Sequence, residues 1–367
     1  MELKTSGMFS FLLLPAVAFI GNTILGMLFL VIPIYAYSLG AKPVELGLVG
    51  ASGALVYSFM PFLMGGFSDK IGQIKIIILA LALIGSVSIL YVFASSPLLI
   101  ILLKVFEGIC WAMLWPAIEA GISSLSEGLD IGLGRYNISW SSGATFGPLL
   151  AGFVMAFLGV HGVFYLSSVT AVFTSFFVLI SMRGLKVKKA ETGDVGFKHA
   201  LNALKSSGFL NIPLTSNFLC YFITSIVFTF FPPYAVSRGL SALEVGFLAF
   251  LHGVARTISF LLVKRLQGKF RSTILVELST PLLGISSALL YLEFCRLAYY
   301  VSFVITGVLV GLIYSISLLM IMSGSGSRRG LYAGIFESTI GFGSVVGPLV
   351  GSLTSSFGLS APFLLCG

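Results

Sequence analysis

The chain has 367 residues, of which 57% are hydrophobic and only 9% are charged. A soluble domain carries about 25% charged residues, so this composition excludes a soluble protein and indicates a polytopic membrane protein. The net charge of +8 does not indicate a nucleic-acid partner, because the basic residues lie in short segments between long apolar runs. The four cysteines lack the spacing of metal ligands or of a disulfide framework, so we predict no metal site and no cofactor.

Eleven apolar runs follow one another along the chain. Each is long enough to cross a bilayer as a helix, which needs about 20 residues. They lie at about residues 11–37, 46–66, 74–94, 97–120, 136–158, 162–182, 210–236, 244–263, 273–292, 297–322 and 332–355. A further run begins near Leu359 and stops at Gly367. The sequence therefore predicts an all-α membrane protein with eleven full spans and a truncated twelfth helix, seen as a C-terminal stub of at most about two turns.

The basic residues predict the orientation of these spans. If the N-terminus is cytoplasmic, 16 Lys and Arg residues fall in inner segments and three in outer loops, which agrees with the excess of positive charge on the cytoplasmic side of membrane proteins. The longest polar segment, at 183–209, is then cytoplasmic. Within it Phe197, Leu201 and Leu204 recur at helical spacing, so we predict a short amphipathic helix on the membrane surface.

Two stretches of the first half recur in the second half at a nearly constant distance. The segment from Pro33 to Gly40 matches the segment from Pro232 to Gly239 at an offset of 199 residues. A second match, at an offset of 200, pairs Gly143, Gly147 and Pro148 with Gly343, Gly347 and Pro348. A repeat of six membrane helices produces such matches. We therefore predict a six-helix half at 1–182, a linker at 183–209 and a second half, with five full helices and the stub, at 210–367.

The polar segment between the second and third runs carries a short motif. Gly65, Asp69, Lys70 and Gly72 fit the pattern Gly-x-x-x-Asp-Arg/Lys-x-Gly-Arg/Lys, with Gln73 at its last, basic position. The motif closely resembles the loop between helices 2 and 3 of the major facilitator superfamily, and with the repeat the resemblance covers the whole chain. It implies two six-helix halves with pseudo-two-fold symmetry and a secondary active transporter that works by alternating access.

The resemblance also implies that this loop acts as a conformational latch at the inner face of the membrane. Glu119, near the inner end of the fourth run, is expected to contact Lys70 or Lys75. In the second half Gly268 stands at the position of Asp69. We therefore expect the latch to operate mainly through the first half.

The motif Gly143-x-x-x-Gly147-Pro148 in the fifth run resembles the fifth-helix signature of the superfamily's antiporters. Gly143, Gly147 and Ala151 form a row of small residues that lets a neighbouring helix approach closely, and Pro148 permits a bend. The copy in the eleventh run indicates that packing is a shared role of both motifs. The motif favours antiport, with ordinary helix packing as the alternative.

Four charged residues within the spans are the candidates for proton coupling. Lys104 and Glu107 lie three residues apart in the fourth run, so they can pair on one helix face. Each mid-membrane charge costs about 2.5–3.5 kcal/mol on insertion scales, which indicates a mutual pair or a polar cavity. In the second half Arg256 is expected to pair with Glu337, and Glu277 to lie at the membrane interface. His252, one turn before Arg256, is either a proton site or a packing histidine.

Five further residues are candidates for contact with the substrate. The resemblance places their helices around a central cavity; the residues are Asn22, Trp111, Trp115, Asn217 and Tyr221. The asparagines and Tyr221 can equally form hydrogen bonds between helices, and the indoles can belong to the packed interior or to a lipid-facing belt.

These features predict proton-coupled efflux of a small amphipathic compound, by antiport, in a plasma-membrane protein that works as a monomer in the lipid bilayer. Proton-coupled import of an organic anion or a sugar is the alternative, because Lys104 and Arg256 are cavity cations. A membrane sensor or enzyme is the third possibility, against which stand the absence of a nucleophile–base arrangement and the short polar segments. No Gly-x-x-x-x-Gly-Lys-Ser/Thr loop is present, so ATP is not expected to drive transport.

Overall fold

The computed structural model describes residues 2–125, 129–181, 211–292, 296–324 and 329–367. Its helices are α1 (Glu2–Ser38), α2 (Pro43–Ile71), α3 (Gln73–Tyr91), α4 (Pro97–Leu125), α5 (129–158), α6 (160–181), α7 (Asn211–Ser237), α8 (Ala242–Gln267), α9 (Ser272–Ala288), α10 (Arg296–Gly324) and α11 (Arg329–Thr354). A 3-10 turn at Leu289–Leu292 follows α9, and two more, Ser355–Phe357 and Ala361–Cys366, follow α11. The predicted linker at 183–209 and its amphipathic helix lie outside the described residues.

The described helices are long and apolar enough to cross a membrane. Ten helical runs meet this condition, and the longest, Arg135–Ser181, has 47 residues. Gly159, with φ 70° and ψ −176°, breaks that run into α5 and α6, so the ten described runs contain eleven helices. Positive φ is readily adopted by glycine, which allows one residue to join two helices where the sequence predicted a short loop. The all-helical membrane fold is confirmed.

The polar segment between α2 and α3 is shorter than the sequence indicated. Residues 65–71, predicted as part of a hinge, continue α2 to its end at Ile71. The helices are joined through Gly72 alone, which has φ 105°. Because only glycine adopts this conformation without strain, Gly72 is the residue that separates α2 from α3.

The first repeated motif forms the corner between two helices. α1 ends at Ser38 and is followed by Gly40 with φ 81°, while α7 ends at Ser237 and is followed by Gly239 with φ 80°. A carboxylate then begins the next helix: Glu45 accepts a hydrogen bond from the backbone N–H of Lys42 at 2.7 Å, as Glu244 does from Ser241 at 2.8 Å. Such a bond satisfies one of the amide groups that a helix start leaves without an intrahelical partner. The repeat therefore encodes a helix stop and a helix start.

The helices group into two compact units whose boundaries fall inside α2 and α8. One unit contains α1, α2 from Phe59 onward, α3 to α6, and residues Leu240–Phe250. The other contains Ala41–Ser58, α7, α8 from Leu251 onward, α9 to α11 and the C-terminal turns. The division at 183–209 falls outside the described residues and stays a prediction.

Small residues bring the helices of the first unit into close contact. A Cβ atom on Gly147 would lie 2.5 Å from the carbonyl oxygen of Thr23, so α5 packs directly on the backbone of α1. A Cβ on Gly85 of α3 would lie 2.6 Å from a side-chain methyl group of Val172 and 3.1 Å from the carbonyl oxygen of Ser168, both in α6. The Ser175 hydroxyl adds a 2.8 Å hydrogen bond to the carbonyl oxygen of Ile78. Close backbone approach of this kind is how membrane helices associate without a hydrophobic driving force.

The second unit repeats this packing and also holds the C-terminal turn. Gly343 of α11 lies against α7, where a Cβ would be 2.6 Å from the carbonyl oxygen of Phe218. Phe363 of the turn is 0% exposed, and its ring packs edge-on to Tyr234 at 5.6 Å. The same contact joins Phe164 and Tyr35 in the first unit at 5.4 Å. Both pairs are related by the offset of 199 residues, so the stub predicted at the C-terminus occupies the place that Phe164 has in the first copy.

Candidate functional site

The structure brings the two charged residues of α4 into one buried cluster. The Lys104 ammonium lies 2.9 Å from Glu107 Oε1, and the Glu107 side chain is 1% exposed. Trp111 Nε1 donates to the same oxygen at 3.1 Å, while the Tyr91 hydroxyl donates to Oε2 at 2.7 Å. Glu107 is the eleventh residue of α4, about 15 Å from the start of the helix. A carboxylate with three donors therefore lies near mid-membrane depth.

The cluster gives the Glu107 carboxylate the partners that a charge in an apolar setting requires. Burying a lone charge is expensive, and an opposite charge with hydrogen bonds to both oxygens offsets that cost. Lys104 and Glu107 together carry no net charge. Proton uptake by Glu107 would neutralise the carboxylate and leave Lys104 as an uncompensated cation. One proton thus changes the charge of the cluster from zero to +1.

Aromatic rings hold the donor side chains of this cluster in place. Tyr91, which is 0% exposed, stacks on Phe164 at 5.2 Å. Trp111 stacks on Trp115 at 5.7 Å. A Cβ on Gly21 of α1 would lie 3.4 Å from Trp115 and 3.9 Å from Trp111, so both indoles pack between α1 and α4. Their predicted contact with substrate stays a prediction.

The two predicted asparagines each join a pair of helices. Asn22 of α1 donates from Nδ2 to the carbonyl oxygen of Trp140 in α5 at 2.7 Å. Asn217 of α7 donates to the Thr339 hydroxyl of α11 at 2.7 Å and to the carbonyl oxygen of Phe336 at 3.3 Å. The side chains of Asn22 and Asn217 are buried. This geometry fits the hydrogen-bonding role that the sequence left open beside substrate contact.

His252 is packed among aromatic rings in the second unit. It is 5% exposed, lies 5.2 Å from the ring of Phe228, and its Nδ1 is 3.3 Å from the Thr306 hydroxyl. Thr306 has one hydroxyl hydrogen, which it donates to the carbonyl oxygen of Phe303 at 3.1 Å. The hydroxyl oxygen can then accept a hydrogen bond from Nδ1 of a neutral His252 imidazole. Burial and a neutral partner favour the packing role that the sequence gave as one of two alternatives.

A second polar group in this unit surrounds Arg256. Tyr221 of α7 and Tyr314 of α10 lie near the half-buried Arg256 of α8. Tyr221 also lies near Glu337 of α11, whose side chain is exposed. Helices α7 and α10 thus each bring a tyrosine to Arg256, and Tyr221 lies near both charged groups. Direct pairing of Arg256 with Glu337 stays a prediction.

The latch residues are described only in part. The side chains of Asp69 and Lys70, and Gly65 beside them, lie outside the described part of the chain. Glu119 accepts a 3.0 Å hydrogen bond from the Tyr136 hydroxyl of α5. Its predicted contact with the loop is untested, and Tyr136 is a partner that the sequence did not indicate.

The glycine that follows the helix corner in one copy contacts the Gly-Pro motif of the other copy. Pro148 of α5 approaches α8, because a Cβ on Gly246 would lie 2.5 Å from the Pro148 carbonyl oxygen. In the other unit a Cβ on Gly47 of α2 would lie 2.7 Å from the carbonyl oxygen of Pro348 in α11. Gly47 and Gly246 are related by the offset of 199 residues, and Pro148 and Pro348 by 200. The glycine after each helix corner therefore packs on the Gly-Pro motif of the other copy.

Sequence reasoning missed the neutral partners of the charged residues. Tyr91 ends an apolar run, where a tyrosine usually indicates the membrane interface, but its side chain turns inward to Glu107. Thr306 and Tyr314 lie in the long apolar run of α10 and belong to no recognisable motif. Charge pairs at helical spacing are visible in a sequence, whereas partners from other helices depend on the packing.

Comparison with known proteins places the chain in a family. The model of the Major Facilitator Superfamily matches residues 12–328. An uncharacterized MFS-type transporter of Methanocaldococcus jannaschii is 25% identical over 243 residues, which cover 64% of this chain and 62% of that protein. Multidrug resistance protein 2 of Bacillus subtilis is 22% identical over 386 residues, covering 96% and 89%.

A solved structure shares the fold over nearly the whole chain. The crystal structure of the nucleoside transporter NupG superposes with a TM-score of 0.80 at 14% sequence identity, covering 97% of this chain and 95% of the other. Identity this low shows the fold alone. The family match rests on the sequence from the first span to the end of the tenth. The chain belongs to the Major Facilitator Superfamily and is a multi-pass, non-enzymatic membrane transporter of small molecules.

Proposed function

We propose that this transporter exports a small amphipathic compound in exchange for protons, and that Glu107 gains and loses the coupled proton. The observation that carries the proposal is the buried cluster of Lys104, Glu107, Tyr91 and Trp111, with the carboxylate 2.9 Å from the ammonium. A protonatable group at mid-membrane depth is a default candidate for a proton path. The relation to a multidrug resistance protein supports efflux as the direction.

The charge of the cluster gives a mechanism for exchange. While Glu107 is ionised the cluster is neutral and tolerates a cationic or amphipathic compound nearby. Protonation turns the cluster into a cation, which repels a cationic compound and favours its release. The proton and the compound therefore compete, as antiport requires. Glu337, exposed on α11 and linked through Tyr221 to Arg256, is the proposed second carrier.

Transport in proteoliposomes tests this proposal directly. Wild-type protein in acid-inside vesicles should accumulate ethidium, a fluorescent lipophilic cation, as protons leave. In Glu107→Gln the accumulation of ethidium should be at least tenfold lower, since removing the protonatable group removes the coupling. Ethidium exchange without a pH gradient should remain. Glu277→Gln is the matched control, because it makes the same chemical change at an exposed position of α9.

Folding has to be separated from coupling in this experiment. Glu107→Gln leaves Lys104 uncompensated, which costs about 2.5–3.5 kcal/mol if the charge stays in the membrane. The double variant Lys104→Met with Glu107→Gln removes both charges and should fold well but remain uncoupled. Gradient-driven accumulation at the wild-type level in either Glu107 variant would refute the assignment of the proton to this residue.

A second candidate is proton-coupled import of an organic anion. Arg256 with Tyr221 and Tyr314 from two further helices is an arrangement that suits a carboxylate or phosphate group. In this case acid-outside vesicles should take up carboxyfluorescein, and acid-inside vesicles should not accumulate ethidium. Import of a sugar, the other form of this alternative, would instead show as pH-driven uptake of a neutral compound.

We further propose that the protein works as a monomer in the plasma membrane with its N-terminus in the cytoplasm. The distribution of basic residues, 16 in inner segments against three in outer loops, supports this orientation. Modification of single cysteines introduced at Lys42 and Lys75 checks it. Lys42 should react from outside and Lys75 only after permeabilisation, and the opposite result would reverse the topology.

A further inference from the structure

The turn between α8 and α9 carries a concentrated positive charge. We define the α8–α9 turn as residues 265–271, in which Arg265, Lys269 and Arg271 are all exposed. Within the described part of the chain none of these three side chains makes a hydrogen bond or an ion pair. The turn itself is well tied, because the backbone N–H groups of Lys269 and Phe270 both donate to the carbonyl oxygen of Leu266, at 3.0 and 2.8 Å. A fixed turn therefore presents three basic groups that have no partner among the described residues.

On α8, Arg265 lies at the end of an exposed apolar face of the helix. Ile258 and Leu261 are 51% and 78% exposed, and with Arg265 they follow at spacings of three and four residues, which is one face of a helix. In a membrane protein such an exposed apolar face lies against acyl chains. Arg265 stands about one turn, or 6 Å, beyond Leu261. It is placed where the acyl chains covering this face meet their head groups.

The start of α9 has the same arrangement. Ile274 and Leu278 are 42% and 60% exposed, and they follow Arg271 by three and seven residues on one face. Phe270 precedes them in the turn and is itself 54% exposed. The two helices are held together at this end, since the Gln267 amide donates to the Ser272 hydroxyl at 3.1 Å. The exposed apolar faces of α8 and α9 thus lie side by side at this end, and each has a basic residue, Arg265 or Arg271, at its end.

We propose that the α8–α9 turn binds the phosphate head group of an anionic phospholipid whose acyl chains cover the exposed apolar faces of α8 and α9. The guanidinium groups of Arg265 and Arg271 can each hold a phosphate through two hydrogen bonds, and Lys269 adds a point charge. Glu277 lies six residues after Arg271 and brings one negative charge, so the local sum remains positive at +2. Clusters of basic residues beside membrane helices recognise anionic lipids in this way.

The repeat explains why this site belongs to the second copy. The offset of 199 residues places Gly268 where the first copy has Asp69, and Lys269 where it has Lys70. The first copy carries an acid that can neutralise its basic neighbours, and the second lacks it. The turn keeps the helix-to-helix connection of the repeat, but its charge is available to a ligand. The proposal is independent of the transported compound and of the coupling ion.

Lipid titration of the purified protein tests the proposal. Native mass spectrometry should show phosphatidylglycerol binding more tightly than phosphatidylcholine to the wild-type protein. Each basic residue near a membrane surface contributes about fivefold in affinity, so the triple variant Arg265→Gln, Lys269→Gln, Arg271→Gln should lose about a hundredfold for phosphatidylglycerol and little for phosphatidylcholine. The loss should shrink at high salt, which screens exposed charges.

The matched control removes three charges from the opposite end of the helices. Lys42→Gln, Arg238→Gln, Arg296→Gln changes the net charge by the same amount but should keep the wild-type preference for phosphatidylglycerol. Equal affinity of the wild-type protein for both lipids, or an equal loss in the two triple variants, would overturn the proposal. If the α8–α9 triple variant does not fold, the single variant Arg271→Gln should still show about a fivefold loss, and an unchanged affinity there would also overturn it.

Discussion

The contact between α2 and α11 tests how tightly the repeated glycine motifs fix the helices. A Cβ atom on Gly47 would lie 2.5 Å from the Ser352 Cβ and 2.7 Å from the Pro348 carbonyl oxygen. The carbonyl oxygen belongs to the backbone and cannot rotate away as a side chain can. Gly47→Ala should therefore force the first turns of α2 away from α11. The perturbation is one methyl group, so a change in the helix contact can be ascribed to it.

The magnitude follows from overpacking. Inserting an extra methyl group into a packed contact costs about 1–3 kcal/mol, which shifts the population between the packed and separated arrangements about 5- to 150-fold. The shift favours an arrangement in which the two helices have separated. If each transport cycle requires the packed arrangement to re-form, Gly47→Ala should also slow transport.

Spin labels on the two helices measure this shift. Val44 of α2 and Leu353 of α11 are 56% and 69% exposed, so labels there do not disturb packing, and pulsed EPR gives their distance distribution. Leu48→Ala, a change at a 39% exposed position of the same helix, is the control and should leave the distribution unchanged. An unaltered short distance in Gly47→Ala would refute the view that the methyl group has no room.

Three further predictions concern other parts of the fold. Tyr91→Phe removes one donor from Glu107 and should lower the free energy of unfolding by about 1.5–3 kcal/mol; the same loss in a Glu107→Gln background would show that the two side chains are not coupled. Phe164→Ala and Phe363→Ala should each cost about 3–5 kcal/mol in thermal unfolding, because both rings are 0% exposed. A cost well under about 1 kcal/mol for Phe363→Ala would mean that the C-terminal turn is not part of the core. Asp69→Asn should impair transport without preventing folding, and near-normal transport by the folded variant would count against the latch.

The membrane fold could be predicted because its determinants are local and repeated. A helix that crosses a bilayer needs about 20 apolar residues in succession, and each described span fulfils this within its own segment. Corners such as Ser38-Leu39-Gly40 also act locally, through a glycine with positive φ. The offset of 199 residues then identified equivalent positions without any structure. It correctly identified Phe363 as the equivalent of Phe164 in the repeat.

Side-chain partners could be predicted only within one helix. Lys104 and Glu107 are three residues apart, so their contact follows from helix geometry. The hydroxyl of Tyr91 reaches Glu107 from another helix, and Tyr136 reaches Glu119 in the same way. Such contacts depend on the rotation and separation of two helices, which are set by close-packed glycines such as Gly85 and Gly147. The sequence reveals these residues as small but does not show which helix each one meets.

The repeat also separates what the two copies share from what they do not. At an offset of 199 residues the positions of Lys104, Glu107 and Tyr91 are taken by Phe303, Thr306 and Leu290. Thr306 meets the neutral ring of His252, whereas Glu107 meets an ammonium group. The corners and the glycine contacts occur in both copies, because they build and fix the helices. The buried ion pair belongs to the first copy, while the Arg256 group and the basic turn belong to the second. An ion pair is costly to bury, whereas a packing contact is not. The second copy can therefore lack the pair and still form the same fold. A proton-linked change of charge at this position of the repeat is then possible only in the first copy.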